Sequence, residues 1–312
     1  MASKYVFQVK GTSTYLNGKP FLAKGLRCSN ALFSDESTND LLNNLERYTY
    51  YGLNTISVYL QGNRYGDVKG YDEDASLNPV HADRLAKIIE AADELGMVVL
   101  VGCLYWDTSN AKWNSWTQKE ANLAVANTVQ WLKDNEYRNV FVDPDNEGMA
   151  QRLAGFSDEE MIIAAKKVDP DCVVASNFMG TPPEAADLSI HFGDIVDNKP
   201  YIETEGVPDN APGFYWLNFS KKVDPRNKYR VSTYHNYINV GVYTDDMKAA
   251  QILDTKRHLD DGYGYLLAST WLQAVPPKGP NHSPGGYGTP DFPGIRWWLE
   301  FMRETYGPYK PE

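Results

Sequence analysis

Two glutamates in this sequence are placed to act together as an acid and a nucleophile. Glu147 follows the strand-like segment Asn139–Val142, and Glu205 ends another apolar segment, Pro200–Glu205. If the chain forms an α/β barrel, both glutamates lie at the C-terminal ends of strands and face each other across the barrel mouth. Opposed carboxylates are what the cleavage of a glycosidic bond requires. One protonates the leaving oxygen, and the other attacks the anomeric carbon or activates water.

Polar and aromatic side chains end most of the other strand-like segments, where a barrel would gather them around the same opening. These candidates for holding a substrate are Arg27, Asn30, Tyr59, Tyr105, Trp106, Asn146, His191, Glu203 and Trp271. His235 and Tyr237 belong to a long segment without a regular period, and we expect them to line a sugar subsite. Aromatic rings suit that task because the axial C–H faces of a sugar are apolar.

The hydrophobic pattern supplies the elements that would position these side chains. Apolar segments rich in β-branched residues alternate with segments of helical period. The predicted strands are Phe21–Cys28, Leu53–Leu60, Met97–Tyr105, Asn139–Val142, Cys172–Ser176, Leu188–Phe192, Pro200–Glu205 and Gly264–Trp271. The predicted helices are Asn39–Tyr51, Pro79–Leu95, Gln118–Asp134, Asp158–Lys167, Asp245–Leu259 and Pro293–Tyr306.

This alternation predicts the α/β class and a single (β/α)8 TIM barrel that spans residues 1–312. A short N-terminal hairpin from Tyr5 to Pro20 precedes it, with a turn at Asn17-Gly18. A doubly wound open sheet is the alternative. Its dinucleotide-binding form has no support, since no GxGxxG motif follows the first strand.

The composition restricts the partners. The chain has 312 residues, and 30 Lys and Arg against 41 Asp and Glu give a net charge of −11. Such a charge repels phosphate backbones, and no Lys/Arg run is longer than a pair, so we expect no nucleic-acid partner. The 21 Tyr and 8 Trp exceed what a core of this size requires. We expect some of them to face a carbohydrate.

Other features predict neither a membrane span nor a cofactor. Cys28, Cys103 and Cys172 are widely spaced within apolar runs, which indicates buried thiols. No apolar stretch reaches the roughly 18 residues of a membrane span. No compact ligand spacing such as HxH or HExxH occurs, so we expect no metal and no cofactor. We expect a monomer that is secreted or periplasmic, its leader being absent from this sequence, with a cytoplasmic protein as the alternative.

The segments around both glutamates resemble those of clan A glycoside hydrolases, which include the cellulase- and mannanase-like family. Trp131–Gly148 (WLKDNEYRNVFVDPDNEG) is similar to the stretch of that clan in which a strand ends in Asn-Glu. Lys199–Gly206 (KPYIETEG) is similar to its seventh strand, in which the nucleophilic Glu comes five residues after a Lys-Pro. Thr14–Asn30 (TYLNGKPFLAKGLRCSN) resembles the family's N-terminal hairpin and first strand.

The resemblance implies a retaining hydrolase of β-linked oligo- or polysaccharides. Glu147 would be its general acid/base and Glu205 its nucleophile. Asn146 would bind the 2-hydroxyl of the sugar next to the cleavage point. His191 would belong to the site on the sixth strand, and Trp271 would form the floor of the −1 subsite.

The chain departs from the cellulase-like family at three places. Ser57-Val58-Tyr59 stands where that family has Arg at the end of its second strand, and Tyr105-Trp106 where it has His on the third. Gly148 replaces the Pro that follows Asn-Glu. These departures leave the substrate open. They also leave two other functions open, namely a transglycosylase, in which an acceptor sugar replaces water, and a carbohydrate-binding protein with a decayed active site.

Neighbouring carboxylates allow two further interpretations. Glu203 lies on the same strand face as Glu205. It is therefore the alternative nucleophile, or a group that shifts the pKa of Glu205, and Arg27 is our candidate cation beside it. The residues from Asp143 to Gly148 also match the start of a calcium loop, but its twelfth position is Ala154 instead of a bidentate Glu.

Overall fold

A small antiparallel sheet opens the chain in the computed structural model, which describes residues 2–63, 66–106, 112–206, 242–273 and 282–311. The sheet contains β1 (Phe7–Lys10), β2 (Ser13–Leu16) and β3 (Lys19–Pro20). Asn17 and Gly18 turn the chain between β2 and β3 with φ angles of 50° and 76°, which confirms the predicted turn. Phe7 packs on Phe141, so this sheet lies against the barrel.

Ten further strands follow in the described residues. They are β4 (Lys24–Arg27), β5 (Thr55–Tyr59), β6 (Gln61–Asn63), β7 (Gly66–Lys69), β8 (Val98–Leu104), β9 (Val140–Asp145), β10 (Ala175–Ser176), β11 (Leu188–Ile190), β12 (Tyr201–Gly206) and β13 (Gly264–Leu267). All of these except the β6–β7 hairpin form one eight-stranded sheet, in the order β10-β11-β12-β13-β4-β5-β8-β9. The hairpin directly after β5 was not predicted.

The eight-stranded sheet curls into a barrel. Each neighbouring pair of strands is parallel, including the pair of β13 with β4. A parallel bridge between Val142 and Val174 connects β9 to the segment just before β10 and so joins the two ends of the sheet. The predicted (β/α)8 barrel is therefore confirmed.

Helices connect most of the strands. They are α1 (Asp35–Leu42), α2 (Leu45–Tyr50), α3 (Pro79–Glu94), α4 (Gln118–Asp134), α5 (Met149–Ala154), α6 (Asp158–Val168), α7 (Asp245–Asp260), α8 (Thr270–Gln273) and α9 (Arg296–Tyr306). Side-chain oxygens of Asn78, Thr117 and Ser157 cap α3, α4 and α6 by accepting backbone N–H bonds in the first turn. Among the described residues, no helix combines the length and apolar character needed to cross a bilayer.

Several predicted boundaries were wrong. The predicted helix Asn39–Tyr51 is two helices, α1 and α2, which meet at Asn43 and Asn44. The predicted eighth strand does not reach Trp271 but ends at Leu267. Trp271 instead lies in the one-turn helix α8, where its backbone N–H donates to the Ser269 hydroxyl at 3.1 Å.

The barrel strands are buried on both faces. Every residue of β5, β8 and β9 is buried. The three cysteines are buried and free, which confirms the prediction of buried thiols. Polar side chains that the strands carry into this interior therefore need internal partners, and the groups around Glu147 and Glu205 find them in one another.

Candidate active site

Glu147 lies in a tight turn at the end of β9. The turn is one short 3₁₀ segment, Asn146–Gly148, in which Glu147 has a φ of 54° and Gly148 a φ of 57°. A Cβ at Gly148 would lie 2.7 Å from the Cβ of Phe178. Proline fixes φ near −65° and carries a Cβ, so it fits neither the positive φ nor the narrow space at this position. The departure from the clan's Asn-Glu-Pro at this position thus has a local cause.

Glu205 is the last residue but one of β12, opposite that turn, and the barrel brings the two glutamates together. Side-chain donor atoms of Glu147, Glu205 and His191 all lie within 4.8 Å of one another. Both glutamates are nearly buried, with exposed fractions of 3% and 9%. At this separation and depth the two carboxylates interact strongly, since neighbouring like charges in a poorly solvated site disfavour double ionisation.

Arg27, at the end of the first barrel strand β4, binds Glu205. Its Nη2 lies 2.7 Å from Glu205 Oε1 and donates to Asn146 Oδ1 at 3.0 Å. Burial and the nearby Glu147 raise the pKa of Glu205 to about 7, while Arg27 and His191 act in the opposite direction. The Glu205 carboxyl group therefore gains or loses its proton near neutral pH.

Tyr59 supports the arginine from the next strand, β5. Arg27 Nη1 donates to the Tyr59 hydroxyl at 3.1 Å, and its guanidinium carbon lies 4.6 Å from the centre of the Tyr59 ring. The Tyr59 hydroxyl donates in turn to Asp143 Oδ2 at 2.8 Å, which also accepts the Asn177 amide at 2.8 Å. Asp143 is fully buried on β9, and burial raises its pKa despite these donors.

His191 and Glu203 form a second buried pair on neighbouring strands. His191 Nδ1 lies 2.5 Å from Glu203 Oε1, and Nε2 lies 3.9 Å from Glu147 Oε1. The prediction that Arg27 is the cation beside Glu203 was wrong. Glu203 lies two residues earlier on β12 than Glu205, and it is His191 at the end of β11 that meets its carboxylate, whereas Arg27 meets Glu205.

The aromatic candidates occupy three different environments. Tyr105 is 3% exposed and meets the Tyr59 ring edge-on at 6.0 Å, within the same cluster as Arg27. Trp106 is 7% exposed and packs on Trp116 and Phe156. Its described contacts favour a role in covering the barrel, and its predicted contact with substrate stays a prediction.

Trp271 is half-buried beside the segment that follows the last strand. Its indole N–H donates to the Ser283 carbonyl at 2.9 Å, and a Cβ at Gly285 would lie 2.6 Å from its ring. A cavity of about 410 Å³ lies beside it, with Tyr287 and Phe292 in its lining. Trp271 therefore has an aromatic cavity within reach, but its predicted stacking beneath a sugar stays a prediction.

The remaining candidates divide between the site and residues without a described position. Asn146 Oδ1 is held by Arg27, while its Nδ2 is buried and has no hydrogen-bond partner among the described residues. Asn30 is buried just after β4, and its carbonyl accepts the Phe33 N–H at 3.0 Å. His235 and Tyr237 lie outside the described residues.

Two sets of residues carry donor atoms of the kinds that bind metal ions. Glu147, His191 and Glu205 offer close donor atoms, but the cation Arg27 already neutralises Glu205 and would oppose a second cation there. Asp145, from the calcium-like motif, uses its two carboxylate oxygens to accept the N–H groups of Ala150 and Gln151 at 2.8 and 3.0 Å. The arrangement suits acid–base chemistry better than metal binding.

Sequence patterns missed two residues that complete this site, Tyr201 and Asp143. The Tyr201 hydroxyl bonds both the His191 carbonyl, at 2.8 Å, and Glu203 Oε2, at 3.1 Å. The period-2 alternation of β12 places Tyr201 on the same face as Glu203 and Glu205, so strand alternation was the available signal. Asp143 carried a weaker signal, since only its fully buried strand indicates that the carboxylate needs internal partners.

The fold and the site together define a (β/α)8 barrel with a buried carboxylate pair at the C-terminal ends of its strands. No protein-family model matches the chain, and no curated protein matches it by sequence.

Solved structures are similar in fold. A β-1,4-D-mannanase from Cryptopygus antarcticus superposes with a TM-score of 0.55 at 12% identity, over 97% of this chain and 95% of its own. An endocellulase from Pyrococcus horikoshii, in complex with cellotetraose, gives 0.56 at 15% identity, over 97% and 98%. A family 5 glycoside hydrolase from Bacteroides vulgatus gives 0.59 at 16% identity, over 96% and 70%. The barrel architecture is thus one that many glycoside hydrolases share.

Proposed function

We propose that the protein is a retaining glycosidase that hydrolyses a β-linked oligo- or polysaccharide. The observation that carries this proposal is the close approach of Glu147 and Glu205, in which one carboxylate oxygen of Glu147 lies within 4.8 Å of one carboxylate oxygen of Glu205. Retaining enzymes hold their two carboxyl groups about 5–5.5 Å apart, whereas inverting enzymes leave about 6.5–9.5 Å for a water. The shorter separation supports retention.

The electrostatics of the pair support the same mechanism. Double displacement needs one ionised carboxylate and one protonated carboxyl group in the resting enzyme. A carboxyl group that titrates near neutral pH fits this need, since burial and then the neighbouring Glu147 raise the pKa of Glu205 to about 7. The Arg27 guanidinium favours the anion of Glu205 that the nucleophile must be, and the proposed mechanism then requires the proton on Glu147.

In the proposed reaction Glu205 attacks the anomeric carbon while Glu147 gives its proton to the leaving oxygen. The C–O bond to the leaving sugar breaks, and a glycosyl ester forms on Glu205. Glu147, now an anion, takes a proton from water, and the resulting oxygen nucleophile breaks the ester. The Nδ2 of Asn146, which has no partner in the described part of the chain, would donate to a sugar hydroxyl in both steps.

The first substrates to test are β-1,4-linked glucans and mannans, the sugars of the similar solved structures. The similarity in fold to those structures decides only which polysaccharides are tested first. A sulfated or otherwise acidic polysaccharide is a poorer match to a chain with a net charge of −11.

The test combines two substitutions with product analysis. Glu147→Gln should nearly abolish turnover of substrates with poor leaving groups, and azide should rescue Glu205→Gly by giving a glycosyl azide of inverted configuration. NMR of the first product should show retention in the unmodified enzyme. Azide rescue of Glu203→Gly but not of Glu205→Gly would move the nucleophile to Glu203.

The same experiments separate the alternative functions. Product elongation at high substrate concentration would identify a transglycosylase, which uses the same two carboxylates. Carbohydrate affinity without any cleavage of the whole panel would overturn the proposed hydrolase and identify a binding protein.

A further inference from the structure

Glu203 is a third buried carboxylate at the site, and the double displacement does not use it. Its exposed fraction is 5%, and three donors surround it. These are His191 Nδ1 at 2.5 Å, the Tyr201 hydroxyl at 3.1 Å and the backbone N–H of Glu205 at 2.8 Å. A carboxylate buried among three donors is held in its ionised form.

The histidine held by Glu203 directs its other ring nitrogen at the catalytic pair. His191 Nε2 lies 3.9 Å from Glu147 Oε1, and its ring is close enough to Glu205 for all three side chains to share one 4.8 Å cluster. His191 has a φ of 43°, an uncommon conformation for a residue other than glycine. The Tyr201 hydroxyl lies 2.8 Å from the His191 carbonyl and shares its one proton between that carbonyl and Glu203 Oε2.

We propose that Glu203 is a positioning residue that keeps His191 as an imidazolium between the two catalytic carboxylates. The catalytic role of Glu203 in this inference rests on the proposed glycosidase mechanism. The charge state of His191 does not depend on that mechanism. Glu203 accepts the Nδ1 proton, which leaves the Nε2 proton directed towards Glu147.

The charges around the pair explain why this arrangement needs Glu203. Burial lowers the pKa of His191, but Glu203, followed by Glu205 and Glu147, raises it above the ordinary value for histidine. Burial raises the pKa of Glu203, yet His191, and more weakly His258, lower it below the ordinary value. Tyr201 and Tyr265 also face Glu203, and Asp254 lies beyond them. Without Glu203, burial would favour the neutral imidazole.

The imidazolium completes the charge balance of the reaction. Arg27 and His191 carry two positive charges, and Glu147, Glu203 and Glu205 carry three negative charges when ionised. The proposed mechanism requires one proton on Glu147 in the resting enzyme, and with that proton the charges of the group sum to zero. After glycosyl transfer Glu205 is an uncharged ester, and His191 then faces the Glu147 anion that must act as the base.

NMR tests the charge state directly, without any assay of activity. Two-bond ¹H–¹⁵N spectra of the full chain report the protonation of each of its 5 histidines, and a His191→Gln variant assigns the His191 signals. We expect His191 to stay doubly protonated at pH 7. In Glu203→Gln its midpoint should fall by about one pH unit or more, because the partner charge is lost while burial remains. A wild-type His191 that is neutral at pH 7 overturns the proposal, whether or not Glu203→Gln folds.

The pH dependence of kcat/KM tests the role in catalysis. Loss of the imidazolium makes Glu205 harder to ionise, so the acidic limb in Glu203→Gln should move to higher pH. Glu159→Gln, which removes an equal charge from the exposed side of α6, should leave both limbs in place. A lower rate with unmoved limbs would show that Glu203 is only structural. If no substrate is cleaved, the NMR result still stands, so failure of the glycosidase proposal and failure of this one are distinguishable.

Discussion

Arg27 binds Glu205 across the barrel mouth, with 2.7 Å between Nη2 and Oε1. The resemblance to clan A hydrolases leads to an expected arginine on the second barrel strand, where this chain has Tyr59. Here the cation, Arg27, comes from the first strand, β4. The second strand contributes the Tyr59 hydroxyl, which accepts a hydrogen bond from Arg27 Nη1. The missing arginine therefore does not indicate a decayed site, because a guanidinium from the adjacent strand contacts the proposed nucleophile.

Replacing Arg27 should affect both ionisation and stability. In Arg27→Met the pKa of Glu205 rises further, so the acidic limb of kcat/KM should move to higher pH. Removing one partner of a buried ion pair costs about 3–5 kcal/mol, which urea unfolding would measure. Arg27→Lys keeps the charge but loses the planar fork, so its acidic limb should move less while kcat falls. An unchanged pH profile in Arg27→Met would contradict this electrostatic role.

Tyr59→Phe should weaken the support of that arginine while keeping the aromatic ring beneath it. The substitution removes one of the two donors to the buried Asp143 Oδ2 and the acceptor of Arg27 Nη1. We expect a loss of about 1–3 kcal/mol in the free energy of unfolding, together with a lower kcat. Tyr287→Phe, which changes a half-exposed tyrosine, is the control. Equal stability in the two variants would show that the hydroxyl network contributes little.

Strand periodicity predicted most of the fold because it depends on local pattern. The apolar segments around Leu100 and Val142 identified barrel strands without any tertiary information. The end of the last strand was harder to predict from the sequence. Trp271 continues the apolar pattern of β13, and only the Ser269 hydroxyl, which accepts the Trp271 N–H, marks the change to a helical turn.

The partners of the site side chains depend on barrel geometry, which no single segment contains. Strand-end position identified Glu147, Glu205, Arg27 and His191, but not which cation meets which carboxylate. Arg27 lies 178 positions before Glu205 in the chain, and the closed barrel makes them neighbours because β13 pairs with both β4 and β12. The pairing of His191 with Glu203 follows from the adjacency of β11 and β12.

The turn at Gly148 should be intolerant of any side chain. In Gly148→Ala the new Cβ would lie 2.7 Å from Phe178 Cβ at a φ of 57°, so the turn must shift and displace Glu147. We expect a large loss of kcat. Gly155→Ala is the matched control, because Gly155 has a φ of 75° but no heavy atom within 4 Å of its Cβ position. The control should show only the conformational cost, roughly 1–2 kcal/mol, with activity retained. Full activity in Gly148→Ala would show that the turn does not position Glu147.

Stability should fall as the pH rises towards 7, and Asp145 should account for part of the fall. Burial raises the pKa of Asp145 from 3.8 to about 7. The folded state therefore holds a proton that the unfolded chain has lost, and the stabilisation is full below pH 3.8 and lost as the pH rises through 7. One such group gives a slope of about 1.4 kcal/mol per pH unit. Asp145→Asn cannot ionise, so its stability should depend less on pH within this window.

Urea unfolding at several pH values between 4 and 8 would measure both slopes, with Asp197→Asn as an exposed control that should follow the wild type. Stability should fall more steeply with pH in the wild type than in Asp145→Asn. Glu205 contributes to the fall in both proteins, because its pKa is raised to about 7. Identical slopes in the wild type and Asp145→Asn would show that Asp145 is ionised in the folded protein. Its two backbone N–H donors, from Ala150 and Gln151, would then outweigh the burial of the carboxylate.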